Sequence, residues 1–524
     1  MVSRRDLRRF PPAEPQTYLK QAPRALLVVH RWFRWEHLLL ALLIIAVFWL
    51  RMALATSVTH LDYDAYPTLR EVAHIRETGT PLRDDPLSIT GAKRVGSPVF
   101  EYLLASIAGI SPIIHKILPN LFMALLLLPV YFLARGLSDS TASALIAAIL
   151  AGSGPFVFAA YLNDPSPVPV ATFLFLFIIA MLHAPERYLY PIAALSLLLT
   201  FIHPLIFLLV AAIAAILLLL RMEGFKVDGR LGELFLFTLV LAVWFHVIVY
   251  KDALFSDGLR ILWKNLPTAY ANAAFGNVTL LSLLYGLGVI TFLFGVLGAY
   301  HALFEHRVRV AIGVLGAILA TITCLALRVL EFQVGVLLLS LLLSVMAAHG
   351  LRVSAQYLTR TKAPWLLYPA VAVLVLLFIL TAVIPSLANA RSALENTPSD
   401  SDVQVFLALR DTLPKDAVLL TTVREAAAFQ QIAGRRTLTD NDFVLVRNGD
   451  ELLADIDAVY TARFASTISG KAQKLGFTHI LFSSDAERSY DRVGILVEPT
   501  ACIEVSRIGD ATIYTVHCSA GGGE

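Results

Sequence analysis

The sequence predicts a polytopic α-helical membrane protein of about eleven spans, N-terminus inside and C-terminus outside, ending in a small external α/β domain. Three observations predict it. Of 524 residues, 57% are hydrophobic and only 15% charged, against about 45–50% and about 25% in soluble domains. About eleven stretches approach the ~20 mostly apolar residues that a spanning helix needs. Beyond Pro398 the apolar runs shorten and charges become frequent. A soluble enzyme, a disordered chain and a disulfide scaffold are excluded. A formal net charge of +3 gives no basis for nucleic acid as a partner. Three cysteines without a C-x-x-C pair make no zinc site.

Taken in order, residues 1–36 form a basic arm with Arg4, Arg5, Arg8, Arg9, Lys20, Arg24, Arg31 and Arg34. It is too long and basic for a secretory leader, and the positive-inside rule keeps it in the cytoplasm. The membrane domain covers 37–390. Its apolar runs lie near 37–56, 113–134, 141–161, 168–183, 188–202, 204–220, 231–250, 279–303, 310–327, 333–350 and 365–386. The stretch 188–220 is divided at His203-Pro204, because proline lacks an N–H and disfavours helix before it. This division gives basic inner loops throughout: Arg135; Arg187; Arg221, Lys226 and Arg230; Arg307 and Arg309; Arg352, Arg360 and Lys362. The outer loops then carry Asp62, Asp64, Asp84, Asp85, Asp164, Asp252 and Asp257. No internal repeat is evident, which weakens the case for a transporter built from duplicated halves.

The external domain, 398–524, alternates short apolar runs with amphipathic ones. Ala417-Val418-Leu419-Leu420 and His479-Ile480-Leu481-Phe482 read as buried strands, and 425–432 and 451–463 as helices. The segment from Cys502 to Cys518 around Gly509-Asp510 reads as a hairpin. With a three-residue loop the two cysteines sit opposite each other, and a disulfide suits an external compartment; two free buried thiols are the alternative.

The chemistry concentrates in the first outer loop, 57–111. Asp62 and Asp64, just past the first span, are spaced so that they can share a hard divalent cation or provide a base; a solvated polar loop is the alternative. Asp84-Asp85 before Pro86 reads as a turn, with ligation a secondary option. Arg328 and Glu331, between the ninth and tenth spans, lie on the same outer side. An arginine fork suits phosphate, and Glu331 suits metal or acceptor. Interfacial snorkelling of a paired Arg and Glu is the competing account. His203 also falls on the outer side, as a phosphate contact or a helix-end histidine.

The pattern Asp64-Ala65-Tyr66-x-x-x-Arg70, Gly79-x-Pro81, Asp85-Pro86, Gly96 and Pro98-Val99-Phe100-Glu101-Tyr102-Leu103-Leu104-Ala105 resembles the first external loop of the GT-C membrane glycosyltransferases. It is nearest the STT3-like oligosaccharyltransferase catalytic subunits of prokaryotes. The resemblance covers roughly the first 200 residues in sequence and the rest in topology. It implies a donor sugar on a polyprenyl phosphate, a protein or glycan acceptor, contact with membrane lipid, and Mg2+ or Mn2+ as the cofactor. It makes Asp64 the essential, metal-binding acid, Asp164 a further metal ligand and Arg328 the lipid-phosphate contact, beside which Glu331 is a candidate ligand by position. Three departures stand out. The second-loop acidic pair is reduced to Asp164, because Leu162 replaces the first acid; an Asn163-Asp164-Pro165 turn also accounts for it. No tryptophan follows Trp365, so the family's W-W-D-Y-G acceptor signature is missing, and Thr321-Ile322-Thr323-Cys324 lacks the expected Glu. Transfer to an acceptor other than protein Asn therefore fits better than oligosaccharyl transfer. A transporter or flippase and a non-catalytic scaffold remain as rivals. The acids sit at span ends rather than mid-span, against what ion pathways require. The transferase reading expects the early acids and the late arginine to meet in one pocket at the outer membrane boundary.

Overall fold

The computed structural model describes residues 35–91, 93–109, 111–276, 279–306, 308–360, 364–492, 494–497 and 502–517. The basic arm up to Arg34, together with Arg307, Lys362 and Cys518, lies outside the described residues.

Every predicted apolar run is helical, as a chain in hydrocarbon must be to satisfy its own backbone. Among the described residues six helices are long and apolar enough to cross a membrane: Trp35–Ala55, Ile114–Ser138, Gly229–Val249, Arg309–Ala326, Phe332–Thr359 and Leu367–Leu394. Phe332–Thr359 is the axis of the bundle, with 94% of its apolar window buried against 11% for the peripheral Leu367–Leu394. Small residues permit this packing. A Cβ on Gly298 would fall 2.0 Å from the Met346 carbonyl oxygen, and one on Gly350 would fall 2.3 Å from that of Phe294, so the two backbones touch.

The remaining runs are shorter or broken. The run 279–303 is not one straight span. It turns by 96° between its two helices at Gly288, whose φ of +80° a residue with a Cβ rarely adopts. The run 141–161 stops at Gly152 and resumes as the short helix Pro155–Ala159. The break at His203-Pro204 is present, with Pro185–Ile202 ending before it and Ile206–Met222 starting after it.

The predicted inner and outer loops separate to opposite ends of the bundle. At one end Arg135 donates to Thr141 Oγ1 (2.7 Å), Arg230 to the Glu186 carbonyl (3.1 Å) and Arg352 to the Ser138 carbonyl. The other end carries the C-terminal unit. Its five-stranded sheet has the order β2-β1-β3-β5-β4, with β1 Val418–Leu420, β2 Arg436–Thr437, β3 His479–Phe482, β4 Ile503–Ile508 and β5 Ala511–Val516. β1 is parallel to β2 and β3, whereas β5 is antiparallel to β3 and β4. The predicted strands and hairpin fall in place. The hairpin turn holds two residues, Gly509-Asp510, not three, because Ile508 pairs with Ala511. Cys502 therefore faces His517. Cys502 is disulfide-bonded, and Cys324 is a free thiol.

The first loop is built into this unit. Ser88 bridges Thr437 in parallel, and the amides of Ile89 and Thr90 donate to the carbonyls of Thr437 and Leu438 (3.2 and 3.0 Å). The loop thus extends the sheet edge beyond β2. Tyr63, Tyr66 and Leu69 share a core with Val405, Phe406, Ala428 and Phe429. The perpendicular Phe406–Phe429 pair, 5.4 Å between centroids, adds about 0.5–1.5 kcal/mol beyond area burial.

Candidate active site

Three loops and one strand end build a recess between the helices and the C-terminal unit. The first contributor is the turn Tyr63–Ala65. Pro67 starts the following helix, Tyr66–Thr78, where its missing N–H costs nothing. The amide of Asp62 donates to the Asn163 carbonyl (3.2 Å), and that of Tyr63 to the Asn396 carbonyl (3.2 Å). Tyr63 and Ala65 are fully buried. Asp64 is thereby turned outward, open to solvent at its tip yet crowded by protein, as at the floor of an open cavity.

The second contributor is the loop after Pro155–Ala159, and an unusual clamp holds it. Arg51, buried in the first helix, donates from Nε to Asn120 Oδ1 (3.0 Å). Its Nη1 bonds the carbonyls of Val157 (2.9 Å) and Phe158, and its Nη2 that of Ala160 (2.7 Å). A cation on the carbonyl end of a short helix satisfies its orphan acceptors and opposes its dipole. Asn120 Nδ2 adds the Leu162 carbonyl (2.8 Å). Asp164 is thus delivered to the recess. Leu162 packs with Phe158, Ala390 and Leu394, so an acid at that position would be buried in an apolar cluster.

The third contributor was not legible in the sequence. Lys264 Nζ stands 2.6 Å from Glu331 Oε1, joining the loop after Trp263 to the turn before Phe332–Thr359. Trp263 Nε1 donates to the carbonyl of Arg328 (2.6 Å). Asn265 Nδ2 donates to the carbonyls of Phe443 (3.1 Å) and Val446 (2.8 Å), fixing the loop to the C-terminal unit. Of the seven non-glycine residues with positive φ among those described, Tyr161, Lys264, Asn265 and Arg328 belong to this end. Each such conformation costs roughly 1 kcal/mol or more, and such strain gathers at functional sites.

The electrostatics are those of crowded carboxylates. Burial, reinforced by Asp64, pushes the Asp62 carboxyl up to about 7, against the pull of Arg424 and Lys116. Burial also raises Asp64, opposed by Arg424 and Lys264. Asp164 is held well above the usual carboxylate range by burial, with Asp64 and Asp62 adding to it. Glu331 is the opposite case: Lys264 keeps it ionised, below its ordinary value, and Glu331 in turn raises Lys264. The charges of Lys264 and Glu331 also reach His203, whose Nδ1 accepts from the Leu205 amide (3.1 Å).

Asp62, Asp64, Asp164, Glu331 and His203 are therefore brought to one recess with Lys264 and Arg424. Arg328 stands on the same turn as Glu331. It is exposed, and its guanidinium makes no hydrogen bond or ion pair among the described residues. Asp85 and Arg70 are placed elsewhere. They pair with each other, Arg94 bridges Asp85 and Asp440 at 3.0 Å each, and Arg70 also bonds Gln430. This buried network docks the loop on the C-terminal unit. Asp84 is exposed and pairs with Lys93 in an isolated bridge. The oxygen donors suit a hard divalent cation in type, and Asp62 Oδ1 is buried without a partner. In arrangement they do not fit: among the described residues no three His, Cys, Asp or Glu side chains converge as an ion requires, and Glu331 is neutralised by Lys264.

Lys264 lies in a loop with no motif around it. Arg424 carried a weak signal, since Thr422-x-x-Glu425 is a capping box that places a cation in the first turn of a helix, where cations are disfavoured.

No protein-family model matches the sequence, and no curated protein does either. Solved structures do match. The oligosaccharyltransferase of Archaeoglobus fulgidus in its apo form aligns with a TM-score of 0.66 at 14% identity, over 87% of this chain and 70% of that one. AglB from the same organism, in complex with an inhibitory peptide and a dolichol-phosphate, gives 0.62 at 13%, over 84% and 69%. ArnT from Cupriavidus metallidurans, bound to undecaprenyl phosphate, gives 0.55 at 13%, over 93% and 99%. The fold is thus the STT3-like GT-C fold, and at these identities the likeness is one of fold.

Proposed function

We propose that this chain is a membrane glycosyltransferase that moves a sugar or glycan from a polyprenyl-phosphate carrier to an acceptor at the outer membrane face. The observation that carries the reading is the convergence of Asp62, Asp64 and Asp164 with the Lys264–Glu331 pair in one recess where the bundle meets the C-terminal unit. A lipid-linked donor explains the helices, since its tail stays in the bilayer while its head reaches the recess. The dolichol-phosphate and undecaprenyl phosphate of the structural neighbours support that donor class.

Asp64 is the base. The acceptor hydroxyl or amide attacks C1 from the face opposite the phosphate, its proton passes to Asp64, and the C1–O bond to the phosphate breaks with inversion. Lys264, oriented by Glu331, and Arg328 at the rim neutralise charge growing on the departing phosphate. His203 supports that side. Asp62 and Asp164 shape the field around Asp64. The resemblance also assigns a divalent ion to Asp64 and Asp164, which the arrangement of side chains among the described residues does not fit.

The test uses Asp64→Ala and Asp64→Asn in membranes supplied with a polyprenyl-phosphate-linked sugar. Near-normal transfer by folded variants removes Asp64 from the mechanism. Transfer to protein Asn is a second reading, favoured by the inhibitory peptide held by the AglB neighbour; glycosylation of a sequon peptide by this chain decides it. Solute flux in proteoliposomes without transfer would support a transporter instead.

A further inference from the structure

The C-terminal unit places one arginine in the recess that the transfer step does not use. Arg424 begins the helix Val423–Ala433, at the end of β1. Its Cζ lies 5.1 Å from the centroid of the Tyr63 ring, and Tyr63 sits between Asp62 and Asp64. Its charge is felt at both carboxylates.

The side chain is held rather than loose. Nη1 donates to Asp485 Oδ1 at 3.2 Å. Asp485 is fully buried and accepts a second bond from the Thr422 hydroxyl (2.7 Å). Arg488 approaches the same carboxylate at 3.8 Å. With one end fixed by Asp485 and one face covered by Tyr63, the guanidinium plane is set. A guanidinium has five N–H donors, and only Nη1 is engaged among the described residues. The side chain is 38% accessible, so part of the guanidinium is open to solvent beside the first loop.

Arg424 makes no hydrogen bond to Asp62 or Asp64, although both sense its charge. A simple counter-ion would close on one of them; Asp485 and the Tyr63 ring hold this one apart. The site is therefore bipolar, with a base on the first loop and, on the C-terminal unit, a planar cation that Asp485 engages through Nη1 alone. The donor phosphate already has Lys264 and Arg328, on other loops.

We infer that Arg424 is the anchor for an anionic acceptor: its open edge binds a carboxylate or phosphate on the acceptor and thereby sets the nucleophile against Asp64. This rests on the transferase reading above. Paired, charge-assisted bonds to a planar oxyanion are what an immobilised guanidinium offers and what an ammonium offers less well.

The test uses the full chain in lipid nanodiscs, with Arg424→Gln and Arg424→Lys. Glucuronate and inorganic phosphate are the anionic probes, glucose is the neutral control at matched ionic strength, and undecaprenyl phosphate reports the donor side. The unsubstituted chain is expected to bind the anionic probes more tightly than glucose. Arg424→Gln is expected to weaken them by about tenfold, and Arg424→Lys by less. Undecaprenyl phosphate affinity should be the same in all three. Equal binding of glucuronate and glucose, or unchanged anion binding in Arg424→Gln, overturns the inference. So does weakened undecaprenyl phosphate binding in that variant, which moves Arg424 to the donor side. Failure of the unsubstituted chain to bind undecaprenyl phosphate, with the anion difference intact, instead overturns the donor class. Unchanged thermal unfolding of Arg424→Lys separates lost binding from lost fold.

Discussion

The two ends of the helical bundle treat charge in opposite ways. At one end Arg135, Arg230 and Arg352 each close on a carbonyl or hydroxyl, and the Arg230 and Arg352 bonds tie one helix to another. At the other end Asp62, Asp64 and Asp164 are crowded together without a direct ion pair among the described residues, and the neighbouring loops hold Tyr161, Lys264, Asn265 and Arg328 in left-handed backbone. The first arrangement is what stability alone selects. The second is unfavourable in isolation, and persists because helices and the C-terminal unit fix it from both sides. Perturbed carboxylates in such a recess mark chemistry.

The contrast is sharpest at Asp64. Asp64→Asn should reduce transfer by about 10³-fold and leave thermal unfolding unchanged or slightly improved, because one of the crowded carboxylates is neutralised; turnover and unfolding measured on one preparation check both. Next is Lys264→Met, which leaves Glu331 unpaired and should cost about 10²-fold in transfer, with Lys264→Arg recovering part of it. The pH profile follows. Burial and Asp64 push the Asp62 carboxyl up to about 7, and burial raises Asp64 in the same sense. Activity should therefore fall as pH drops below about 7, because the carboxylates gain protons, and the fall should flatten in Asp62→Asn. A profile flat to pH 5 would break the link between crowding and chemistry.

A smaller effect belongs to the C-terminal unit. Glu425 is fully buried, and burial with Asp485 beside it raises its carboxyl to about 8. The folded state therefore binds more protons than the unfolded state between the ordinary value and about 8. Stability is present at low pH and declines as pH rises through that window. Glu425→Gln should remove the slope, as read by urea unfolding at pH 5 and pH 8. The smallest effect is at the quiet end: Arg352→Ala should cost about 1 kcal/mol and leave transfer within twofold.

Much of this was readable in the chain. Pro204 announced the break, and length with apolarity announced the helices. The Asp64-Ala65-Tyr66 pattern pointed to the acid that the recess exposes. What was hidden depends on distant pairing. The charges of Asp85 and Arg70 gave no sign that they answer each other and Asp440 across the sheet edge. Lys264 acquires meaning only beside Glu331, 67 positions on. Gly288 looked like any glycine in an apolar run until its φ bent the helix. The missing tryptophan in the tail gave no sign that the C-terminal unit lays Arg424 over the ring of Tyr63, between the two acids in sequence.

Arg70 and Gln430 meet although 360 residues separate them, and Tyr63 shares its core with Phe429. A ribosome adding about 5–20 residues per second leaves the early loop waiting roughly twenty to seventy seconds for its partner. Until then Tyr63, Tyr66 and Leu69 have nothing to pack against. A nascent or prematurely terminated chain therefore holds a membrane bundle with no working centre, and competence arrives only with the last quarter of translation.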